Sequence, residues 1–229
     1  MRLFKIYLTK IFIKFDFLKI EIQILSLILL AQLYNTYSIS NLKRIRKLER
    51  FLDQSCKNIS SSLVKHIKFN KINHNHCKHL ILITRIQKGG GLINIYNKIL
   101  KNNSSFSLIT NIFKYKINTN SISKFDSKKH LSLYEIGCIN RIQTIINYIL
   151  NNNVSTISII NDDFDPLPYI SFLLTRSKSR KYNFYHHATH SFTFGMFEKD
   201  WHHIDLFQNQ HHLCKKDVNS NFISMVNFL

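Results

Sequence analysis

The sequence predicts an α/β protein: a Rossmann-like parallel sheet with flanking helices, preceded by a helical N-terminal segment. Two observations support this fold class. Through the first part of the chain, apolar residues such as Leu42, Ile45 and Leu48 recur at helical spacing between charges. Further on, short apolar runs rich in β-branched residues alternate with runs of helical spacing, which is typical of right-handed βαβ units.

Each element of the alternating region is predicted from its own stretch of sequence. The predicted strands are HLILITRI (His79–Ile86), FSLITNIFKY (Phe106–Tyr115), LSLYEIG (Leu131–Gly137), STISIIND (Ser155–Asp162), KYNFYHH (Lys181–His187) and WHHIDLFQ (Trp201–Gln208). The predicted helices are LINIYNKILKN (Leu92–Asn102), INRIQTIINYILNNN (Ile139–Asn153) and PLPYISFLLTRS (Pro166–Ser177), the last with proline in its first turn. We therefore divide the chain into a helical, amphipathic N-terminal extension at 1–75 and a Rossmann-like domain at 76–229.

The chain is strongly basic, with 32 Lys and Arg against 13 Asp and Glu and a formal net charge of +19. Such an excess favours anionic partners: nucleic acid, membrane headgroups or phosphorylated small molecules. An AT-rich coding sequence is the competing cause, because it enriches Ile, Lys and Asn in any protein. The bases are scattered, which favours a solvated surface over a dedicated nucleic-acid stripe.

The cysteines and the N-terminus indicate the cellular compartment of the protein. Cys56, Cys77, Cys138 and Cys214 lie far apart without a CxxC pair, which predicts a reducing compartment and neither a disulfide framework nor a cysteine-rich zinc site. The most apolar stretch, Ile22–Tyr34, is shorter than the ~20 residues that span a bilayer, so a buried or interfacial helix is favoured. The N-terminus mixes bases with apolar residues and makes a poor signal peptide, although an in-plane membrane contact is compatible with it.

The residues that suggest a functional site follow the predicted strands. Ligands of open parallel sheets bind outside the carboxyl ends of the strands. The candidates at those positions are Gly89, Gly90 and Gly91 after the first strand, Glu135 near the end of the third, Asp162, Asp163 and Asp165 after the fourth, and His186, His187, Thr189 and His190 after the fifth. This shared position predicts one site at the carboxyl edge of the sheet.

Two of these groups have a structural and a functional interpretation. The three glycines form either a flexible turn or a backbone that approaches an anion at the start of the next helix; they match neither a dinucleotide fingerprint nor a Walker loop. For Asp165, next to Pro166, we favour capping of a helix. Asp162 and Asp163 remain open between a magnesium site, contacts to sugar hydroxyls and general-base catalysis.

The histidines favour a cleft lining over a metal site. HHxxH followed by scattered HH pairs matches no common zinc spacing. Neighbouring strand positions point to opposite faces, so we expect one of His186 and His187 to be packed and the other to face the cleft. A histidine at a strand end can act as a general base or bind a hydroxyl or phosphate near neutral pH.

At HHATHSFTFG and HHIDLFQ the sequence resembles the amino-terminal half of bacterial sugar-nucleotide glycosyltransferases of the two-Rossmann-domain (GT-B) kind. The residues that carry the resemblance are His187, Ala188, Thr189, His190, Phe192, Gly195, Ile204 and Asp205, together with the stretches TRIQKGGGLINIYNKIL and DDFDPLPYI. The resemblance covers roughly residues 79–216. Thr189 stands where the family pattern has an acid.

The resemblance implies transfer of a sugar from a nucleotide-sugar to a hydroxyl acceptor, as in surface polysaccharide synthesis, with no catalytic metal or cofactor. It implies that His187 or His190 positions or deprotonates the acceptor and that Gly89–Gly91 approach the donor diphosphate. Glu135, Asp162, Asp163, His186 and Thr189 would contact substrate. The sequence carries no second Rossmann domain, so we expect the acceptor-side half of a truncated or split enzyme, with a separate C-terminal domain or subunit as partner.

The same resemblance implies a cytoplasmic enzyme resting peripherally on the anionic inner face of a membrane. Two alternatives remain open. One is a non-catalytic basic binding module for nucleic acid or anionic membrane, of which nucleic acid is the less favoured partner. The other is an inactive remnant that folds poorly without its partner domain.

Overall fold

A computed structural model describes residues 20–41, 45–65, 67, 77–86, 91–101, 104–112, 129–133, 137–186, 191–206, 218 and 220–222. Five helices and seven strands lie within these residues. The helices are α1 (Ile20–Asn41), α2 (Arg46–Leu63), α3 (Gly91–Leu100), α4 (Cys138–Asn151) and α5 (Leu167–Thr175). The strands are β1 (His79–Ile83), β2 (Ser105–Ile109), β3 (His130–Ser132), β4 (Thr156–Ile160), β5 (Lys181–His186), β6 (His202–Asp205) and β7 (Ser220–Phe222).

The strands form one sheet in the order β3-β2-β1-β4-β5-β6-β7, and every neighbouring pair is parallel. The predicted Rossmann-like α/β fold is thereby confirmed. The chain runs outward from β1 to β3, returns to the middle at β4 and continues outward to β7. Successive strands are added toward one edge of the sheet up to β3 and toward the other edge from β4 onward, so a topological switch point lies between β1 and β4. In open α/β sheets, ligands bind at such a switch point, outside the carboxyl ends of the strands.

Each predicted strand is present, although the observed strands are shorter. β2 ends at Ile109 because Asn111 has a positive φ of 45° and turns the chain out of the sheet. Asparagine tolerates this left-handed conformation better than most residues. β7 was not predicted, since a run of three residues is too short to show a periodic pattern.

The two faces of the sheet pack against different helices. Alternate residues of a strand point to opposite faces, so Leu80 and Leu82 enter one core cluster while Ile81 and Ile83 enter the other. The first cluster contains residues of α1, α2, α4 and α5 and is the larger one. The second contains Ile95, Tyr96 and Leu100, all from α3.

The helices of the predicted N-terminal extension belong to this same core. α1 contributes Ile24, Leu27 and Ala31 to the first cluster, and α2 contributes Leu52 and Cys56. The predicted helical character of this region is confirmed for the described residues. The boundary at residue 75 remains a prediction, although α1 and α2 pack on the sheet as integral layers.

A carboxylate of α1 caps α4. Gly137, which precedes α4, has an extended backbone and no side chain with which to cap the helix. The Oε1 and Oε2 atoms of Glu21 instead accept hydrogen bonds from the backbone N–H groups of Cys138 and Ile139, at 2.6 and 2.9 Å. The first N–H groups of a helix lack partners within the helix and favour negative charge nearby. Glu21 therefore joins residues 117 positions apart through a helix terminus.

Glu21→Ala should lower the free energy of unfolding by about 1–2 kcal/mol, because it leaves two amides without a partner and removes a charge that stabilises the helix terminus. Glu21→Gln keeps one acceptor oxygen and should lose less. Chemical denaturation measures both values. Gln32→Ala, at an exposed position of the same helix, is the control; equal effects at positions 21 and 32 would contradict the capping role.

Candidate functional site

The buried carboxylate of Asp165 joins three elements at the switch point. Its Oδ2 accepts hydrogen bonds from the hydroxyls of Thr84, directly after β1, and Thr110, directly after β2, at 2.7 and 2.5 Å. Its Oδ1 accepts a hydrogen bond from the backbone N–H of Leu167 at 3.0 Å. The last contact is that of a helix cap, so the predicted capping role of Asp165 is confirmed. Asp165 also has a second role: through the hydroxyls of Thr84 and Thr110 it connects the carboxyl ends of β1 and β2 to the start of α5.

A buried arginine balances this carboxylate. The guanidinium of Arg141, on α4, donates a hydrogen bond to the carbonyl of Thr110 at 2.7 Å and is almost fully buried. Burial raises the pKa of Asp165, while the hydrogen bonds from Thr110, Thr84 and Leu167 and the charge of Arg141 oppose the increase. A buried charge is tolerated when it is paired and hydrogen-bonded, and Asp165 has both kinds of partner.

An ion pair lies closer to solvent at the same edge. The Nε of Arg85, after β1, lies 2.6 Å from Oδ2 of Asp162, after β4, with side chains 27% and 15% exposed. The backbone N–H of Asp162 donates to the hydroxyl of Thr84 at 2.8 Å. The switch point therefore has one partly exposed cation, Arg85, and one partly exposed carboxylate, Asp162. Thr84, which binds Asp165, holds the backbone of Asp162.

Asp163 connects this edge to the segment after β5. Its Oδ1 accepts a hydrogen bond from the hydroxyl of Thr193 at 2.9 Å. That segment is also held from α1, where Asn35 donates to the carbonyl of Phe192 at 2.9 Å and accepts from its N–H at 2.8 Å. Residues after β4 and after β5 are thus brought together, while the predicted proximity of Asp162 and Asp163 to residues 187–190 lies outside the described residues.

His186 lies inside the core. Its Nε2 is 2.7 Å from Nδ1 of His203, and Nε2 of His203 is 2.6 Å from the carbonyl oxygen of Glu198. Because a carbonyl only accepts, His203 carries its proton on Nε2 and His186 donates from its own Nε2. Burial lowers the pKa of His203, which favours its neutral form and leaves its Nδ1 to accept a hydrogen bond. His186 is the packed member that the alternation of strand side chains predicts for one of His186 and His187.

Two further buried acids, Asp53 and Glu198, lie at the segment after β5. Oδ1 of Asp53, on α2, accepts a hydrogen bond from the N–H of Gly195 at 3.0 Å, and the hydroxyl of Tyr169, on α5, donates to Oε2 of Glu198 at 3.4 Å. Burial raises the pKa of Asp53 to about 7; the N–H of Gly195 and the charge of Lys57 oppose the shift, and Glu198 adds to it. Burial also raises the pKa of Tyr169.

The remaining predicted site residues lie outside the described part of the chain: Gly89, Gly90, Glu135, His187, Thr189 and His190. Gly91 is the first residue of α3, the helix that follows β1. Their roles therefore remain predictions. Of the predicted residues that are described, Asp162 and Asp163 lie at the carboxyl edge and His186 lies beneath it.

Several residues that carry the resemblance have packing roles. Phe192 is fully buried, and Ile204 and Asp205 are buried in β6. Gly195 has a φ of +87°, and a Cβ there would meet the Trp201 ring at 2.3 Å. Only glycine fits that conformation and that space. The fold therefore explains why Phe192 and Ile204 are apolar and why position 195 is glycine.

Sequence analysis missed four residues of the switch-point cluster: Thr84, Arg85, Thr110 and Arg141. A signal for the two threonines was present, because the triplet Leu-Ile-Thr occurs at 82–84 and again at 108–110. The register pairs Leu82 with Leu108 and Ile83 with Ile109, so the repeat places both hydroxyls at the same level of neighbouring strands. Arg141 and Asp53 carry no such signal, since each lies on a helix among ordinary surface charges in the sequence.

Three further observations concern metal ions, membranes and known proteins. Within the described residues, no three His, Cys, Asp or Glu side chains are grouped so that they could hold a metal ion. None of the described helices has the length and apolar character required to cross a membrane. Comparison of the chain with family models, with curated proteins and with solved structures gives no match.

The chemistry available at the carboxyl edge is that of polar recognition. The carboxylates of Asp162 and Asp163 can accept hydrogen bonds from hydroxyl groups, and the guanidinium of Arg85 can bind an anionic oxygen. The buried Asp165 is fully engaged by Thr84, Thr110 and Leu167, so its role is to position the loops. The arrangement therefore suits a ligand that carries both hydroxyl groups and negative charge.

Asp53→Asn should change how stability depends on pH. The folded protein keeps a proton on Asp53 up to pH of about 7, whereas the unfolded chain releases it near the ordinary value of 3.8. Between these values the unfolded state binds fewer protons, so this group makes the free energy of unfolding fall as pH rises. Asn cannot ionise, so the variant should gain stability relative to the wild type by about 4 kcal/mol across that range.

Denaturant titrations of both proteins between pH 4 and pH 8 measure this difference. Asp200→Asn, which alters an exposed ion pair with Arg176, is the control and should change stability by less than about 1 kcal/mol at any pH. A difference between Asp53→Asn and the wild type that stays constant with pH would rule out the raised pKa.

Proposed function

We propose that the protein is a glycosyltransferase-like Rossmann domain that forms the acceptor side of a sugar-transfer site. The observation that supports this proposal best is the collection of Arg85, Asp162 and Asp163 at the carboxyl edge beside the switch point. Ligands of this fold class bind there, and these side chains suit a ligand with hydroxyl groups and phosphate.

The proposed reaction needs few groups from this chain. An acceptor hydroxyl attacks the anomeric carbon of a nucleotide-sugar, the bond from that carbon to the diphosphate oxygen breaks, and the nucleoside diphosphate leaves with the electron pair. A base takes the proton of the hydroxyl; we assign this role to His187 or His190, which follow β5 in the sequence. Asp162 and Asp163 would hold acceptor hydroxyls, and Gly89–Gly91 would approach the diphosphate at the start of α3.

The donor half of the site would come from a separate domain or subunit. In this proposal the protein is cytoplasmic and rests peripherally on the anionic inner face of a membrane, where surface polysaccharide is built. Both statements rest on the resemblance to GT-B enzymes, and the net charge of +19 favours the second because anionic headgroups attract a basic surface.

The same net charge favours a second candidate, a basic binding module without catalysis. Its binding would depend steeply on salt, because bound cations are released when Lys and Arg neutralise phosphates. It would also tolerate alanine at positions 187 and 190. The two candidates therefore differ in a measurable way.

Transfer activity should depend on His187 or His190. The full chain, alone and mixed with the product of the neighbouring reading frame, is assayed against a panel of nucleotide-sugars for release of nucleoside diphosphate. We expect turnover in the mixture, reduced by about 100-fold or more in whichever of His187→Ala and His190→Ala removes the base. His202→Ala is the matched control, because His202 lies at the amino end of β6, away from the carboxyl edge.

An equal loss in His202→Ala would point to unfolding rather than to catalysis. No turnover in any mixture, together with salt-sensitive binding to nucleic acid or anionic lipid that survives both alanine substitutions, would favour the binding module instead.

A further inference from the structure

The outer face of α1 is an apolar stripe. Ile22, Leu25, Leu29 and Leu33 are 41%, 51%, 56% and 51% exposed. Their spacing of three, four and four residues places them on one side of the helix, and the stripe is about 16 Å long at ~1.5 Å per residue. Three other large hydrophobic side chains are exposed among the described residues: Val64, Leu131 and Leu150, each on a different element or helix end. The stripe is therefore a patch and not the usual scatter of surface leucines.

None of the described core clusters includes a residue of this stripe. The opposite side of α1 carries Ile24, Leu27, Ile28 and Ala31, which are buried in the core. The only charged residue of α1 is Glu21, and its carboxylate caps α4. The outer face thus has no charge of its own, although it stands on a chain in which 20% of residues are charged.

Basic residues precede and follow α1 in the sequence. In the sequence, residues 1–19 contain five Lys and Arg against one acid, and residues 43–50 again contain five Lys and Arg against one acid. Within the second group, Lys47 and Arg50 are exposed on α2. An apolar helix face flanked by bases is typical of a helix that lies in the interface of an anionic bilayer.

We propose that the outer face of α1 docks on an anionic phospholipid surface, with Ile22, Leu25, Leu29 and Leu33 inserted among the lipids and the flanking bases at the headgroups. The net charge of the chain favours anionic phospholipid as the partner of this face. A second copy of the chain would bring another net charge of +19 against the first and be repelled, whereas anionic headgroups attract it. Nucleic acid would engage the bases and leave the leucines in water.

Docking in this way would bring the candidate site close to the bilayer. Glu21 near the start of α1 contacts the first turn of α4, and Asn35 contacts Phe192 after β5. Both contacts are with segments that follow the carboxyl ends of strands. The inference adds a specific surface to the peripheral localisation proposed above, and it can fail or hold whether or not the protein transfers sugar.

Vesicle binding tests the docking surface. The full chain is mixed with phosphatidylcholine vesicles with and without phosphatidylglycerol, and the bound fraction is measured by flotation. We expect binding to the anionic vesicles and a loss of affinity of about tenfold or more in the double variant Leu25→Gln and Leu29→Gln, because each replaced leucine removes apolar area from the lipid. Both positions are exposed and glutamine is a good helix former, so the fold should be retained.

The matched control is the double variant Val64→Gln and Leu150→Gln, which replaces two exposed hydrophobic residues away from the stripe and should bind as the wild type does. Leu29→Trp supplies an independent readout of insertion: its fluorescence should shift to the blue on anionic vesicles, against a constant background from the buried Trp201.

Three results would overturn the proposal. Equal binding by the stripe variant and the wild type would show that the bases adsorb without insertion. Binding of nucleic acid but not of vesicles would replace the partner. A dimer that dissociates in Leu25→Gln and Leu29→Gln, seen by light scattering, would assign the stripe to a second copy of the chain.

Discussion

The carboxylate of Asp165 is the constraint on which the candidate site depends. Its two oxygens receive hydrogen bonds from the residue after β1, the residue after β2 and the first turn of α5. Thr84 and Thr110 already lie side by side because β1 and β2 pair in register, and Asp165 joins both of them to the start of α5. Because an unpaired buried carboxylate is costly, the arrangement is stable only when all three segments are in place. The loops of the switch point are therefore set by one buried group, and the partly exposed Arg85 and Asp162 take their positions from it.

Helix α1 fixes the other side of the carboxyl edge. From Glu21 to Asn35 the helix rises about 21 Å at ~1.5 Å per residue. The distance from β3 to β5 is four inter-strand steps, or about 19 Å at ~4.8 Å each. The two lengths agree, so α1 crosses the sheet from the start of α4 to the segment after β5 and forms a polar contact at each end. Helix α1, which the sequence analysis assigns to an N-terminal extension, thus connects the start of α4 with the segment after β5.

The sequence predicted the fold well because the fold depends on local patterns. Alternating apolar runs reveal β1, β4 and β5, and helical spacing reveals α2 and α4 without knowledge of any distant contact. The sequence predicts a candidate site at the carboxyl ends of the strands, and the structure places Asp162 and Asp163 at that edge. Asp162 and Asp163 were identified because three acids close together are unusual in this chain. Arg141 and Asp53 were missed because their roles come from contacts with residues far along the chain, such as Gly195 for Asp53, which no local pattern encodes. Asp205 was noticed only through a family resemblance, and the structure places it, buried, in β6.

The distribution of acids changes the meaning of the net charge. An AT-rich coding sequence explains many Lys and Asn residues, but it does not explain where the acids lie. Of the nine acidic residues that the structure describes, five are buried: Glu49, Asp53, Asp165, Glu198 and Asp205. Among the described Lys and Arg residues, only Arg141 is buried. Most of the described acids thus lie inside the fold, where burial raises the pKa of Asp53 to about 7 and that of Asp165 above its ordinary value. The described surface consequently carries few acids beside its many bases. A surface of that kind, with one uncharged apolar helix face in it, is suited to an anionic bilayer for physical reasons that are independent of codon usage.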